Sequence, residues 1–201
     1  MDLSTMRTLV RRDLKDEDNA NYRWQDNEID RAIGRAVAEL SRYVSRETKT
    51  TIATTDGSRQ IDIAALIDRV SIDHVEFPVD ETPRRFQRFA VFSDTVTLTG
   101  DVEGDGADCY VYWGKIHTLD GSTSTIPGYL EDVLSLGAAA YAVLAQAQYR
   151  TDVAGIGGER ADSDYQGWGT ARLKEFKSQL RRFGRNRKLK VGMLYQGDDN
   201  E

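Results

Sequence analysis

The sequence predicts an α+β fold: a small antiparallel helical bundle with an inserted compact β unit and an extended C-terminal tail. Three observations predict it. Residues 26–46 carry apolar side chains at helical spacings of three and four. From Thr48 the period changes to alternation, Thr, Val and Ile dominate, and Asp-Gly pairs punctuate the run. Beyond about residue 121 helical periodicity returns, first alanine-rich and then basic. The order helix, helix, β, helix, helix, tail is explained most simply if the segments flanking the β stretch share one core. The expected organisation is a discontinuous bundle over 1–47 and 122–187, a β unit over 48–121, and a tail over 188–201.

Asp2 to Leu14 reads as a short helix, with Leu3, Met6, Leu9 and Val10 on one face and Arg7, Arg11 and Arg12 turned away. Lys15 to Asn21 is polar and acidic, a loop. Asp26 is the expected N-cap of a second helix, with Asn27, Glu28 and Asp30 suited to its first turn. Its apolar positions are Ile29, Ile33, Ala36, Val37, Leu40, Tyr43 and Val44, and Trp24 ahead of the cap is placed to fold back as a hydrophobic staple. Gly34 costs about 1 kcal/mol in a helix interior, so a close backbone approach is expected there.

Six short strands are expected between 48 and 118. Thr50–Thr54 and Gln60–Ile63 flank an Asp56-Gly57 hairpin turn, and Ala64–Asp68 reads as a helical turn. Val70–Val79 alternates and ends at Pro78. Pro83 with Arg84-Arg85 marks a loop, Phe86–Phe92 and Thr95–Thr99 flank Ser93-Asp94, and Asp105-Gly106 turns into Cys109–Trp113. Thr125 with Pro127 starts a third helix to about 150, rich in alanine. Thr151–Ala161, with Gly155, Gly157 and Gly158, reads as a loop. Asp162 or Ser163 caps a fourth helix whose apolar positions are Tyr165, Trp168, Leu173, Phe176, Leu180 and Phe183, and Gly184 helps to end it.

The chain has 201 residues, 39% hydrophobic and 30% charged, enough for one domain of ordinary size or one carrying an insert. Its longest apolar run, Leu136–Ala145, is about half of what a membrane span needs. The N-terminus lacks the apolar block of a signal peptide, and the single cysteine, Cys109, forms no internal disulfide. These features exclude a secreted disulfide scaffold, a membrane protein and a coiled coil. The expectation is a soluble intracellular protein.

Catalytic, metal and cofactor signatures are missing from the sequence. Two histidines, His74 and His117, and one cysteine lack zinc-ligand spacing. Asp101-Val-Glu-Gly-Asp-Gly-Ala-Asp108 resembles a calcium loop only in part, since Tyr112 stands where a bidentate Glu is required, so it reads as an acidic hairpin turn. Ala154-Gly-Ile-Gly-Gly-Glu159 has no Gly-Lys-Ser/Thr, and no serine sits in a Gly-x-Ser-x-Gly elbow. The alternating aromatics of Cys109-Tyr-Val-Tyr-Trp113 read as sheet-face residues rather than a nucleic-acid stacking platform. No enzymatic activity is expected.

The net charge of −6 is unevenly spread. Arg172 to Lys190 holds nine basic residues against the single acid Glu175, a net +8, which leaves −14 on the rest of the chain. A basic end on an acidic body suits contact with a polyanion or with an acidic face of a neighbouring protein. The structural reading of the same pattern is a solvated helix end, where Lys and Arg are favoured.

The ordered features resemble the head-to-tail adaptor (connector) proteins of tailed bacteriophages. The residues that carry the resemblance are Tyr22-Arg-Trp24-x-Asp26-x-Glu28-Ile29 running into the helix Arg31–Leu40, then Val75-Glu-Phe-Pro78, Val111-Tyr-Trp113 and Ser124-Thr-Ile-Pro127. Leu136-Gly-Ala-Ala-Ala-Tyr-Ala142 and Tyr165-x-x-Trp168 before the basic helix complete it. The resemblance implies a structural virion protein at the neck, assembled in the host cytoplasm. It implies a ring, commonly dodecameric, beneath the portal protein, built by neighbouring adaptor subunits, which extends the DNA tunnel without specific DNA binding and docks a tail-side neck or stopper protein. In that family the bundle builds the ring and the C-terminal segment reaches toward the portal, which maps here to Lys188–Tyr195. The expected portal or protomer contacts are Arg181, Arg182, Arg185, Arg187, Lys188, Leu189, Lys190, Val191, Met193, Leu194 and Tyr195. The tail is expected to be mobile in the free protein and to order on assembly. Two other readings stay open: a nucleic-acid-binding module using the basic helix, and another neck or tail-completion protein.

Overall fold

A computed structural model describes the backbone of residues 1–153 and 159–186, and the side chains of 1–147 and 165–185. Among the described residues four α-helices and seven strands make an α+β protein: α1 (Leu3–Leu14), α2 (Asp26–Tyr43), β1 (Arg46–Ala53), β2 (Gln60–Asp62), β3 (Arg69–Glu76), β4 (Phe86–Gln87), β5 (Phe89–Phe92), β6 (Thr95–Leu98), β7 (Asp108–Lys115), α3 (Glu131–Val153) and α4 (Glu159–Asn186). The described residues divide into two compact units, one of 1–44 with 117–186 and one of 45–116.

In the helical unit α3 packs against α1, α2 and α4. A helix that meets neighbours on every side must be apolar nearly all round, and residues 137–143 are buried without a break. Met6 and Val10 of α1, Ile29, Ile33, Ala36, Val37 and Leu40 of α2, Leu134 and Ala138 of α3, and Phe176 and Leu180 of α4 form one core. The spacings read from the sequence locate these side chains.

Two local expectations change. Asp26 is the first helical residue of α2, not its cap: the backbone N–H of Gln25 donates to the Glu28 carboxylate at 2.7 Å, while the Asp26 carboxylate accepts from Arg11 at 2.7 Å. Arg11 is not turned away but buried, 6% exposed. Its guanidinium donates to Asp16 at 2.7 Å, to the Trp24 carbonyl at 3.0 Å and to Asp26, and lies 3.4 Å from the centre of the Tyr22 ring. Asp16, itself buried, also accepts the Arg23 N–H at 2.8 Å. The acidic stretch after α1 is therefore a pinned loop. Trp24 is buried and its indole N–H reaches the Ala142 carbonyl of α3 at 3.3 Å.

The glycines trade places. Gly34, expected at a close approach, has open space where a Cβ would stand. Gly184, expected to end the last helix, lies inside α4, and a Cβ there would come within 2.6 Å of the Tyr43 carbonyl. Gly137 is the close approach of α3 to α4, where a Cβ would meet the Phe176 ring at 2.7 Å. Of the expected loop Thr151–Ala161, residues 151–153 belong to α3 and 159–161 to α4, so Asp162 and Ser163 are helical rather than caps, and 154–158 lie outside the described residues. Propensity is a weak prior beside the cooperative extension of a helix already begun.

The β unit has seven strands, one more than expected, in two antiparallel sheets ordered β1-β7-β3-β4 and β2-β6-β5. The turn at Asp56-Gly57 exists, with Gly57 at φ +67°, but it closes no hairpin: β1 pairs with β7 and β2 with β6. β7 carries the strongest apolar alternation, with Cys109, Val111 and Trp113 buried, and so takes a central place. The run Phe86–Phe92 breaks at Arg88, placing β4 in one sheet and β5 in the other. The β5–β6 hairpin at Ser93-Asp94 forms as expected, with Phe92 opposite Thr95. Asp101–Asp108 links the two sheets rather than closing a hairpin, because β6 and β7 do not pair. Ala64–Asp68 is a pair of hydrogen-bonded turns. Ile61, Val96 and Leu98 from one sheet, with Ile63 just after β2, and Val75, Cys109, Val111 and Trp113 from the other form the second core.

Candidate docking surface

The inward face of α4 comes from apolar residues at three- and four-residue spacing: Leu173, Phe176, Leu180 and Phe183, of which Phe176 and Leu180 are wholly buried. Packing that face turns Arg181, Arg182 and Arg185 outward, and all three are exposed. Arg172 of the same helix pairs with Glu175 at 3.2 Å and Lys177 with Glu39 of α2 at 3.7 Å. Among the described residues, no ion pair engages Arg181, Arg182 or Arg185. Arg185 donates from Nε to the Arg181 carbonyl at 3.3 Å, a bond that suits the negative end of a helix dipole. The last turns of α4 thus present three guanidinium groups without a neutralising carboxylate among the described residues. Beside them the half-exposed Tyr129 ring meets Phe183 at 5.8 Å. Arg187, Lys188, Leu189, Lys190, Val191, Met193, Leu194 and Tyr195 lie outside the described residues.

The Tyr165-x-x-Trp168 pair opens on a shallow groove of about 420 Å³ in the helical unit, lined also by Trp24, Val143 and Arg172. The Arg172 guanidinium lies 5.5 Å from the centre of the Trp168 ring. The residues after Asp16 that carry the motif Tyr22-Arg-Trp24-x-Asp26 are those gathered by Arg11. Sequence reasoning found that motif but not its centre, and the signal available was the pair of acids, Asp16 and Asp26, flanking a short loop.

A second buried charged side chain was missed in the β unit. Glu76 of β3 is 1% exposed. Its Oε2 accepts from the Tyr112 hydroxyl at 2.6 Å, and Arg84 Nε stands 4.0 Å from Oε1. Oε1 accepts no hydrogen bond among the described residues. Burial, with the Glu76 carboxylate beside it, pushes the Tyr112 phenol up to about 12. Tyr110 donates to Asp80 at 2.9 Å, and Phe86 stacks edge-on against both Tyr112 and His74. The signal was a Glu inside the apolar Val75-Glu-Phe-Pro78.

Burial pushes the Cys109 thiol up to about 11, far from a nucleophile's range. Among the described residues no three His, Cys, Asp or Glu side chains stand close enough together to hold a metal ion. No helix is long and apolar enough to cross a membrane among the described residues. What the surface displays is a cationic helix end and, at β5, exposed apolar side chains, Val91 and Phe92.

No curated protein matches the chain. The family model of the SU10 adaptor protein matches residues 1–190, a span that takes in every described element and the basic end of α4, and the chain therefore belongs to the SU10 adaptor protein family.

Proposed function

We propose that this chain is a structural head–tail adaptor of a phage virion, a non-enzymatic subunit that forms a ring beneath the portal, continues the DNA tunnel and docks a tail-side component. The family match over residues 1–190 carries this reading. Arg181, Arg182 and Arg185 supply its contact chemistry: exposed guanidinium groups at the end of α4, unpaired with any carboxylate among the described residues, seek an acidic face, on the neighbouring subunit or on the portal. Arg187 and the segment Lys188–Tyr195 extend that contact.

Electron microscopy of the protein mixed with its cognate portal tests the proposal. The expected result is a ring coaxial with the portal. Reversing charge at Arg181, Arg182 and Arg185 together is expected to abolish the ring while far-UV circular dichroism stays unchanged, because these side chains touch no core. Particles that mature normally with the triple change contradict the assignment of that surface. The unneutralised arginines also keep a DNA-binding reading in play. That reading requires tight binding to free duplex with a steep salt dependence, whereas a tunnel lining must let DNA slide, so a gel shift at moderate salt separates the two.

A further inference from the structure

The four sheet edges are guarded unequally. β1 shows Arg46, Glu47 and Lys49 to solvent, β4 has two residues and β2 has three. Charge and brevity are the usual protections against stray pairing. β5, the outer strand of its sheet, reads Phe-Ala-Val-Phe, with neither charge nor proline. Val91 is opposite Val96 and so faces the core side, yet it is 46% exposed where Val96 is 0%. Phe92, on the other face, is 85% exposed. Among the described residues, nothing covers the core side of this sheet at Val91 as Val96 is covered.

The backbone is open as well. Thr99 N–H donates to the Arg88 carbonyl at 3.0 Å, and Leu98, opposite Phe89, aims its N–H away from β5 at the Arg59 carbonyl at 2.8 Å. Antiparallel pairing alternates, so Phe89 and Val91 present their N–H and C=O groups to the side on which no strand pairs among the described residues.

We propose that residues 188–195 of a neighbouring copy add to β5 as a further strand. In the sequence Leu189, Val191, Met193 and Tyr195 alternate with Lys188, Lys190, Gly192 and Leu194, a period-two pattern in which one face is wholly apolar and the other is polar up to Leu194. The wholly apolar face covers Val91. The two lysines bring positive charge to a unit, 45–116, that holds thirteen acids against eight bases, a net −5. A donor segment and an acceptor edge at different places on one chain make a heterologous contact, the kind that closes rings, and strand addition is an established mode of joining chains. The proposal rests on the ring-forming adaptor reading and names the seat of the tail within it.

The test uses full-length variants assembled on the portal. Val91→Pro removes the outward N–H of an edge strand, a place where proline is tolerated, keeps an apolar side chain there, and leaves the β5–β6 ladder whole. Val91→Thr keeps that N–H. The proline variant is expected to keep its circular dichroism and to assemble at least about tenfold more weakly, having lost edge hydrogen bonds. The threonine variant is expected to assemble nearly as the parent does. Val191→Pro in the tail is expected to reproduce the loss. Hydrogen exchange is expected to show the Phe89 and Val91 amides open in the dilute chain and protected in the ring.

Normal assembly of Val91→Pro overturns the proposal while leaving the adaptor reading intact. Loss with Val91→Pro but not with Val191→Pro also overturns it, since the edge then takes a strand from elsewhere. Protection of both amides in the dilute single chain places the tail in its own subunit and overturns it too. A parent protein that never joins a portal removes the adaptor reading, and this proposal with it.

Discussion

Arg11 in the helical unit and Glu76 in the β unit are both buried charged side chains, and their surroundings could hardly differ more. Arg11 spends its donors on two carboxylates and a carbonyl, with an aromatic ring against its face. Glu76 has one short bond, from Tyr112, a distant Arg84 and an oxygen that accepts nothing among the described residues. A buried ion is tolerable when its partners saturate it, and removing one partner then leaves an uncompensated charge. The helical unit uses its buried ion as a clasp. Arg11 ties the end of α1, the loop at Asp16 and the start of α2 into one piece. In the β unit the carboxylate is a local bond on a sheet face, and packing of Val75, Val111 and Trp113 carries the structure.

The contrast breaks first at Arg11. Arg11→Met is expected to destabilise the helical unit by about 3–5 kcal/mol, because Asp16 is left buried without its cation. Urea unfolding followed by circular dichroism measures it, and a loss below about 1 kcal/mol contradicts the clasp. Next come the glycines that let α4 dock. Gly137→Ala is expected to cost about 1–3 kcal/mol through overpacking against Phe176, whereas Gly34→Ala, in open space, is expected to stabilise by about 0.5–1 kcal/mol. Opposite shifts in the melting temperature of the two variants show that contact, not helix propensity, decides the sign.

The β site responds less. Tyr112→Phe, which strips Glu76 of its hydroxyl donor, is expected to cost about 1–2 kcal/mol in the same urea experiment. Glu76→Gln keeps an acceptor for Tyr112 and is expected to change stability by less than about 1 kcal/mol. A Glu76→Gln loss as large as that of Arg11→Met erases the distinction between the two units.

The smallest expected effect is in pH. The hydrogen bond from Arg11 holds the Asp26 carboxyl below its ordinary value. A carboxyl depressed in the folded state adds stability above its unfolded value, near 4, and that stability is lost as pH falls through the folded value. Asp26 is largely exposed, so solvent screens the effect. A slightly shallower acid limb in Arg11→Met than in the parent, in melts between pH 5 and 2, is the expected sign.

By itself the sequence determined the kinds of element and most of the core. The α2 pattern at 29, 33, 36, 37 and 40 and the alternation at 109, 111 and 113 name side chains that are buried, because amphipathic period is a property of neighbours along the chain. It also located the cationic end of α4, since charge is additive and needs no fold. Tertiary structure decided which strands pair. A local Asp-Gly turn promises a hairpin, but β1 gains more by lying beside the apolar β7 at the far end of the unit. It decided where glycine is needed, because close approach belongs to two helices, not one: Gly184 meets Tyr43 and Gly34 meets nothing. It decided that Arg11 faces inward, because its carboxylate partners are five and fifteen residues away and only a folded loop gathers them. Period and composition are written one residue at a time, whereas pairing, close approach and the solvation of a buried charge are properties of residues that meet only when the chain has folded.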